Sequence, residues 1–145
     1  MKRSIALLIS GLFFLSACGL AYNSRRAELL KTAKPEDWGA PPPVEYASLE
    51  RNLVRSLLKD PYSAVFKGPT EPRRDVVGKM FSPTPSLAWV SYLAVNAKNS
   101  FGGYTGDSYF EFAWINGKIF AVWTRNPGDT VWTTIPDSTV HALMP

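Results

Sequence analysis

The 145-residue sequence has one cysteine and one histidine. With Cys18 alone no intramolecular disulfide can form, so stability has to come from packing whatever the redox compartment. With His141 alone a multi-histidine metal site is excluded, and no carboxylate cluster suggests a hard metal ion. The G-x-x-x-x-G-K-[ST] phosphate loop is missing, and no cofactor motif is present, so no cofactor is expected. No basic stripe interleaved with aromatics points to nucleic acid. Long apolar runs are scarce too. The one candidate, Ile5 to Leu15, is shorter than the roughly 20 residues a spanning helix needs. Extended through Ala21 it reaches about 17 residues, the bottom of the spanning range, so an uncleaved anchor stays open.

What is present begins with that run. Lys2 and Arg3 form a positive n-region before it, and Leu15-Ser16-Ala17-Cys18 closes it. These four residues resemble the lipobox of bacterial lipoproteins. The resemblance implies that residues 1–17 are a signal peptide and that Cys18 is lipidated and becomes the mature N-terminus. A thiol suits this role because it alkylates to a stable thioether, and two small residues before it let an extended backbone enter a peptidase cleft. Two or more acyl chains give stable attachment, at about 0.8 kcal/mol per buried methylene. Gly19 is not the aspartate that retains such proteins at the inner membrane, so the expected location is the outer membrane, facing the periplasm. An ordinary secretory signal cut after Ala21 is the alternative.

Cleavage before Cys18 removes 17 of the 145 residues and leaves 128, one domain's worth. It also removes two positive charges, lowering the formal net charge from +4 to +2. The high isoelectric point is therefore partly a targeting feature. Residues 18–43 read as a lipidated cysteine followed by a flexible tether: polar, charged, and ending in Pro41-Pro42-Pro43. Ala27 to Lys31 has the makings of a transient helical turn that Lys34-Pro35 would stop. The prolines favour an extended spacer, and a flexible chain of this length spans roughly 30 Å.

Residues 44–145 read as a globular α+β domain, one amphipathic helix packed on a small antiparallel sheet of three to five strands. Between Val44 and Asp60, Leu49, Leu53 and Leu57 recur at i, i+4 and i+8, with Tyr46 and Val54 widening the stripe. Glu45, Glu50, Arg51, Arg55 and Lys59 are assigned mostly to the opposite face, and Pro61 ends the helix. Ser63 to Lys67 is a short strand candidate. Gly68 to Ser86 reads as a proline-rich loop with a short pairing at Val76-Val77 and a solvated basic pair, Arg73-Arg74.

Leu87–Val95, Ser108–Ile115 and Lys118–Arg125 read as strands. Asn116-Gly117 joins the last two in a hairpin of type I′, where both residues need positive φ. A two-residue loop sets Phe110 opposite Trp123, Phe112 opposite Ala121 and Trp114 opposite Ile119, all on the helix-facing side, with Tyr109, Glu111 and Ala113 on the other. Val131 to Ile135 is a fourth candidate. The core is expected from Trp89, Trp114, Trp123, Trp132, Phe66, Phe110, Phe112 and Phe120.

Two segments stand out: Asp60-Pro61-Tyr62-Ser63-Ala64-Val65-Phe66 and Val95-Asn96-Ala97-Lys98-Asn99-Ser100-Phe101-Gly102-Gly103-Tyr104-Thr105-Gly106. Together they resemble a family of small proteobacterial lipoproteins and plasmid- or phage-encoded proteins, across Leu49 to Phe112. The resemblance implies a helix ending in the first motif and a strand running into the second, and no particular chemistry. The family often carries a cysteine and a glycine before the asparagine, where this chain has Tyr92 and Leu93. Physically, the second motif is an inter-strand loop. Its glycines allow positive φ, and Asn96 and Asn99 can bond neighbouring backbone in Asx-turns. Asn96, Asn99, Phe101, Gly102, Gly103, Tyr104 and Gly106 are the candidate partner-binding residues, since binding residues concentrate on loops.

Gly106-Asp107-Ser108-Tyr109, with Asp137 and His141 further on, resembles a serine-esterase block. Ser108, however, opens an alternating strand instead of leading into a helix, and the D-x-x-x-H spacing is one residue too long. The expected function is a non-enzymatic envelope lipoprotein that binds a protein partner or supports an assembly. A receptor-like module for a small ligand or glycan is the alternative, with an unrecognised enzyme third.

Overall fold

The computed structural model describes residues 20–78 and 84–143. Cys18, Gly19 and the signal-like run lie outside these residues. Among the described residues no helix is long and apolar enough to cross a membrane. The chain is helical over residues 20–32 (α1), makes a 3-10 turn at Pro35–Trp38, then forms α2 (Tyr46–Leu57) and a second 3-10 turn at Pro61–Ser63. The strands β1 (Val65–Lys67), β2 (Arg73–Val77), β3 (Ser86–Asn96), β4 (Ser108–Ile115), β5 (Lys118–Arg125) and β6 (Thr133–Thr134) follow, then α3 (Asp137–Leu143). This is the expected α+β architecture with a larger sheet. All six strands are antiparallel, in the order β1-β3-β4-β5-β6, and β2 shares the β1 edge of β3. β3 is long enough, at 11 residues, to carry both.

The centre of the sheet follows from the Asn-Gly turn. Asn116 (φ 50°) and Gly117 (φ 73°) both adopt positive φ, as a type I′ turn requires. Trp114 pairs with Ile119 as the two-residue loop dictates, but the register then shifts. Phe112 pairs with Val122 and Phe110 with Thr124, because Phe120 is an extra residue in β5 between Ile119 and Ala121. Such a bulge moves every later side chain of its strand to the other face. Ala121 and Trp123 therefore leave the helix side, where the simple register had put them, and lie opposite Ala113 and Glu111.

α2 lies on the first face. Leu53 and Val54 are buried there with Leu93, Val95, Phe110, Phe112, Trp114 and Val122, flanked by Tyr46, Leu49 and Leu57. α3, absent from the sequence reading, adds Val140 to this core, and Ile135 leads into it. The second face carries a smaller cluster: Val77, Ala88, Val90 and Ala113, with Tyr92, Phe120 and Trp123 against it. Trp132 belongs to neither cluster and lies against Arg125, whose guanidinium is 5.1 Å from its ring.

The tether expectation fails across residues 20–43. α1 ends at residue 32, just before Lys34-Pro35, and Arg26 on it pairs with Asp75 of β2 at 2.6 Å. Trp38 is buried beneath Arg74, which sits over both Trp38 and Trp89. Arg73 lies over Tyr92 in the same way, so the basic pair is stacked on aromatics and not simply solvated. Gly39 (φ 63°) approaches Asn116 so closely that a Cβ would lie 2.1 Å from Asn116 Oδ1. Gly117 N–H donates to the Ala40 carbonyl at 3.2 Å, fastening the proline segment to the hairpin turn. Polar composition hid these anchors: one tryptophan and one glycine among charged residues carry them.

Candidate functional site

α2 ends at Leu57. Leu58 is already extended, and Asp60 caps the Pro61–Ser63 turn by accepting from Ser63 N–H at 3.2 Å. Ser63 Oγ donates to the Asp60 carbonyl at 3.0 Å and accepts from Lys98 N–H at 2.9 Å. Tyr104 Oη donates to the Ser63 carbonyl at 3.4 Å. Lys59 Nζ donates to Ser100 Oγ at 3.1 Å. The two motifs singled out in the sequence are therefore hydrogen bonded to each other at one end of the sheet, opposite the Asn116-Gly117 turn.

The loop is built around Asn99. Its Oδ1 accepts from Phe101 N–H (2.9 Å) and Gly103 N–H (3.1 Å), an Asx arrangement, and its N–H donates to the Gly103 carbonyl at 2.9 Å. Lys98 and Tyr104 form an isolated bridge at the base. Gly102 takes φ 79° at the tip with open space about it, so backbone conformation alone selects glycine there. Gly106 takes φ 98° on the return, beside Pro127. The fold thus gathers Asn99, Phe101, Gly102, Gly103 and Tyr104 at one tip, with Gly106 behind them. Asn96 is elsewhere. It lies in β3 opposite Val65, and its Oδ1 is buried without a partner instead of closing an Asx-turn.

Phe101 is 95% exposed and Tyr104 53%. Tyr62, on the neighbouring turn, is fully exposed. The sequence reading passed over it, although it occupies the variable position of the D-P-x-S motif, where the flanking residues make the turn and this one is free. Lys67 pairs with Asp107 at 2.5 Å, closing the side of the loop, and this pairing holds the Lys67 ammonium above its ordinary range. Between the end of α2 and the loop lies a cleft of about 320 Å³ whose lining includes Leu57, Leu58 and Val95 together with Lys59 and Lys98.

Two polar features away from the loop were also missed. Glu50, expected on the face of the helix opposite the leucine stripe, is instead fully buried between α2 and the sheet, where its Oε1 accepts from Trp114 Nε1 at 2.9 Å and from Ser91 Oγ. Burial pushes its carboxyl up to about 7, against the opposing pull of the Ser91 and Trp114 hydrogen bonds. On the second face, Tyr22, Val77, Trp123 and Trp132 line a cleft of about 200 Å³ beside Glu111. Burial, then the charge of Asp75, raises the Glu111 carboxyl, while Arg73 and a hydrogen bond from Tyr92 oppose them. In the esterase-like block, Ser108 Oγ donates to the amide oxygen of Asn126 at 3.3 Å. Among the described residues no group of three or more histidine, cysteine, aspartate or glutamate side chains could hold a metal ion.

Comparison with protein-family models, with curated proteins and with solved structures finds no match to the chain.

Proposed function

We propose that the chain is a non-enzymatic, membrane-anchored envelope lipoprotein that binds a protein partner through the loop 97–107 and the adjoining Pro61–Ser63 turn. The observation that carries this reading is the full exposure of Tyr62 beside the 95% exposure of Phe101, on turns hydrogen bonded to one another. Large rings left in water on a pre-formed surface supply contact area while few rotamers have to be frozen on binding. The lipobox-like segment ending at Cys18 supports the anchor, and Gly19 supports an outer-membrane address facing the periplasm.

Photo-crosslinking from position 101 in the native envelope tests the binding surface. A discrete crosslinked protein, lost on Tyr62→Ala, is expected; no adduct beyond background would sink the reading. Incorporation of labelled palmitate tests the anchor. Cys18→Ser should abolish labelling and processing, and persistent labelling would place the acyl chain elsewhere.

A receptor-like module for a small ligand or glycan is favoured by one observation, the concave cleft of Tyr22, Trp123 and Trp132 beside Glu111. Tryptophan emission that saturates on titration with cell-wall oligosaccharides, and fails to do so in Trp132→Ala, would select it.

A further inference from the structure

We infer that the cleft between the end of α2 and the loop 97–107 takes a carboxylate-bearing peptide segment of the protein partner, its acidic group held between Lys59 and Lys98. This rests on the protein-binding reading above and adds the chemistry of what is bound. The walls include Leu57, Leu58 and Val95, and among the described residues no aspartate or glutamate lines the cleft. Both lysines are exposed, and each is positioned by a neutral group. Lys59 donates to the Ser100 hydroxyl, and Lys98 Nζ lies 5.7 Å from the centre of the Tyr104 ring. Neither is ion-paired among the described residues, whereas the nearby Lys67 is neutralised by Asp107.

Lys59 and Lys98 line one concavity without an ion-pair partner among the described residues, so an anion bound there is attracted by both ammonium groups. The apolar walls decide which anion. Inorganic phosphate or a lipid headgroup has nothing to place against Leu57, Leu58 and Val95. An acidic peptide brings the methylenes of glutamate and neighbouring apolar side chains. The volume, about 320 Å³, accepts one or two such side chains and not a folded surface.

The test uses the full chain in mild detergent and a fluorescein-labelled peptide of alternating glutamate and leucine, with a glutamine-for-glutamate peptide as control. Fluorescence anisotropy should show the acidic peptide binding at least tenfold more tightly than the control, with affinity falling as salt rises. Lys59→Gln with Lys98→Gln should remove that tenfold preference while shifting thermal unfolding only slightly, since both side chains are exposed and each loses a single surface contact. Equal binding of the two peptides, or a preference surviving in the double variant, overturns the inference. Inorganic phosphate and glycerophosphoglycerol, the soluble headgroup of an anionic lipid, are run as competitors. Displacement of the peptide by either at equal concentration marks a general anion or membrane site and also overturns it. If the peptide preference fails while crosslinking from position 101 still captures a protein, the anionic chemistry falls and the binding surface stands.

Discussion

Glu50 and Trp114 are joined by a hydrogen bond of 2.9 Å, from the indole Nε1 to carboxyl Oε1, in the middle of the apolar layer between α2 and the sheet. Ser91 donates to the same oxygen, and the other oxygen, Oε2, is buried without a partner. A carboxylate in such a place is costly unless it keeps its proton. The position was readable. Tyr46, Leu49, Leu53, Val54 and Leu57 mark the buried stripe, and Glu50 falls within it, four residues after Tyr46 and three before Leu53.

This fixes the direction of a pH effect. The folded-state carboxyl is raised from 4.5 to about 7, so between those values the native protein keeps a proton that the unfolded chain has lost. The stabilisation is complete below about pH 4.5, falls as pH rises through 7, and changes no further above that. At about 1.4 kcal/mol per pKa unit the difference is on the order of 3 kcal/mol. Denaturant melts at pH 5 and pH 8 should show the protein more stable at pH 5, with the difference largely lost in Glu50→Gln. A slope unchanged by that substitution would assign it to Glu111, whose carboxyl is raised in the same direction.

Phe112 is fully buried at the centre of the same layer, paired with Ser91 and Val122 across the two neighbouring strands. Phe112→Ala should cost about 3–5 kcal/mol, measured by urea unfolding. A loss under 1 kcal/mol would mean that α2 does not cover this face.

The strands that bound the hairpin, its turn and the face of the sheet under α2 were legible because they rest on local signals: alternation, an Asn-Gly pair and a leucine stripe. The shift at Phe120 was not. A bulge residue looks like any other apolar residue in a strand, and only pairing with β4 reveals that one is extra. β2 was half seen for the same kind of reason. Arg73, Arg74 and Asp75 do not resemble a strand, and β3 recruits them by pairing along its full length. At the candidate site, the glycines and Asn99 announced the loop. That Ser63 would tie it to the turn after α2 depends on contacts some 35 residues apart.

Trp38 separates the two views of the N-terminal segment. A flexible tether would tolerate Trp38→Ala without effect. Buried against Arg74, the ring contributes to the fold, and its removal should cost about 3 kcal/mol or more. Thermal unfolding of the variant decides between them, and an unchanged midpoint would restore the tether.

Phe101 and Tyr104 should behave differently, although they lie three residues apart on the same loop. Phe101 is nearly all in water, so Phe101→Ala should change stability by less than about 0.5 kcal/mol. Tyr104 donates to the Ser63 carbonyl, bridges Lys98 through the backbone and lies under the Lys98 ammonium, so Tyr104→Ala should cost about 1–2 kcal/mol. Tyr104→Phe removes only the hydroxyl and should recover most of that loss, because the 3.4 Å bond is long. For partner capture the order should reverse. With the crosslinker moved to position 62, which is fully exposed on the neighbouring turn, Phe101→Ala should reduce capture more than Tyr104→Phe, since the exposed ring is the contact and the tied ring its support. Equal loss of capture in both variants, without unfolding, would make the Tyr104 hydroxyl part of the contact and Phe101 no more than its neighbour.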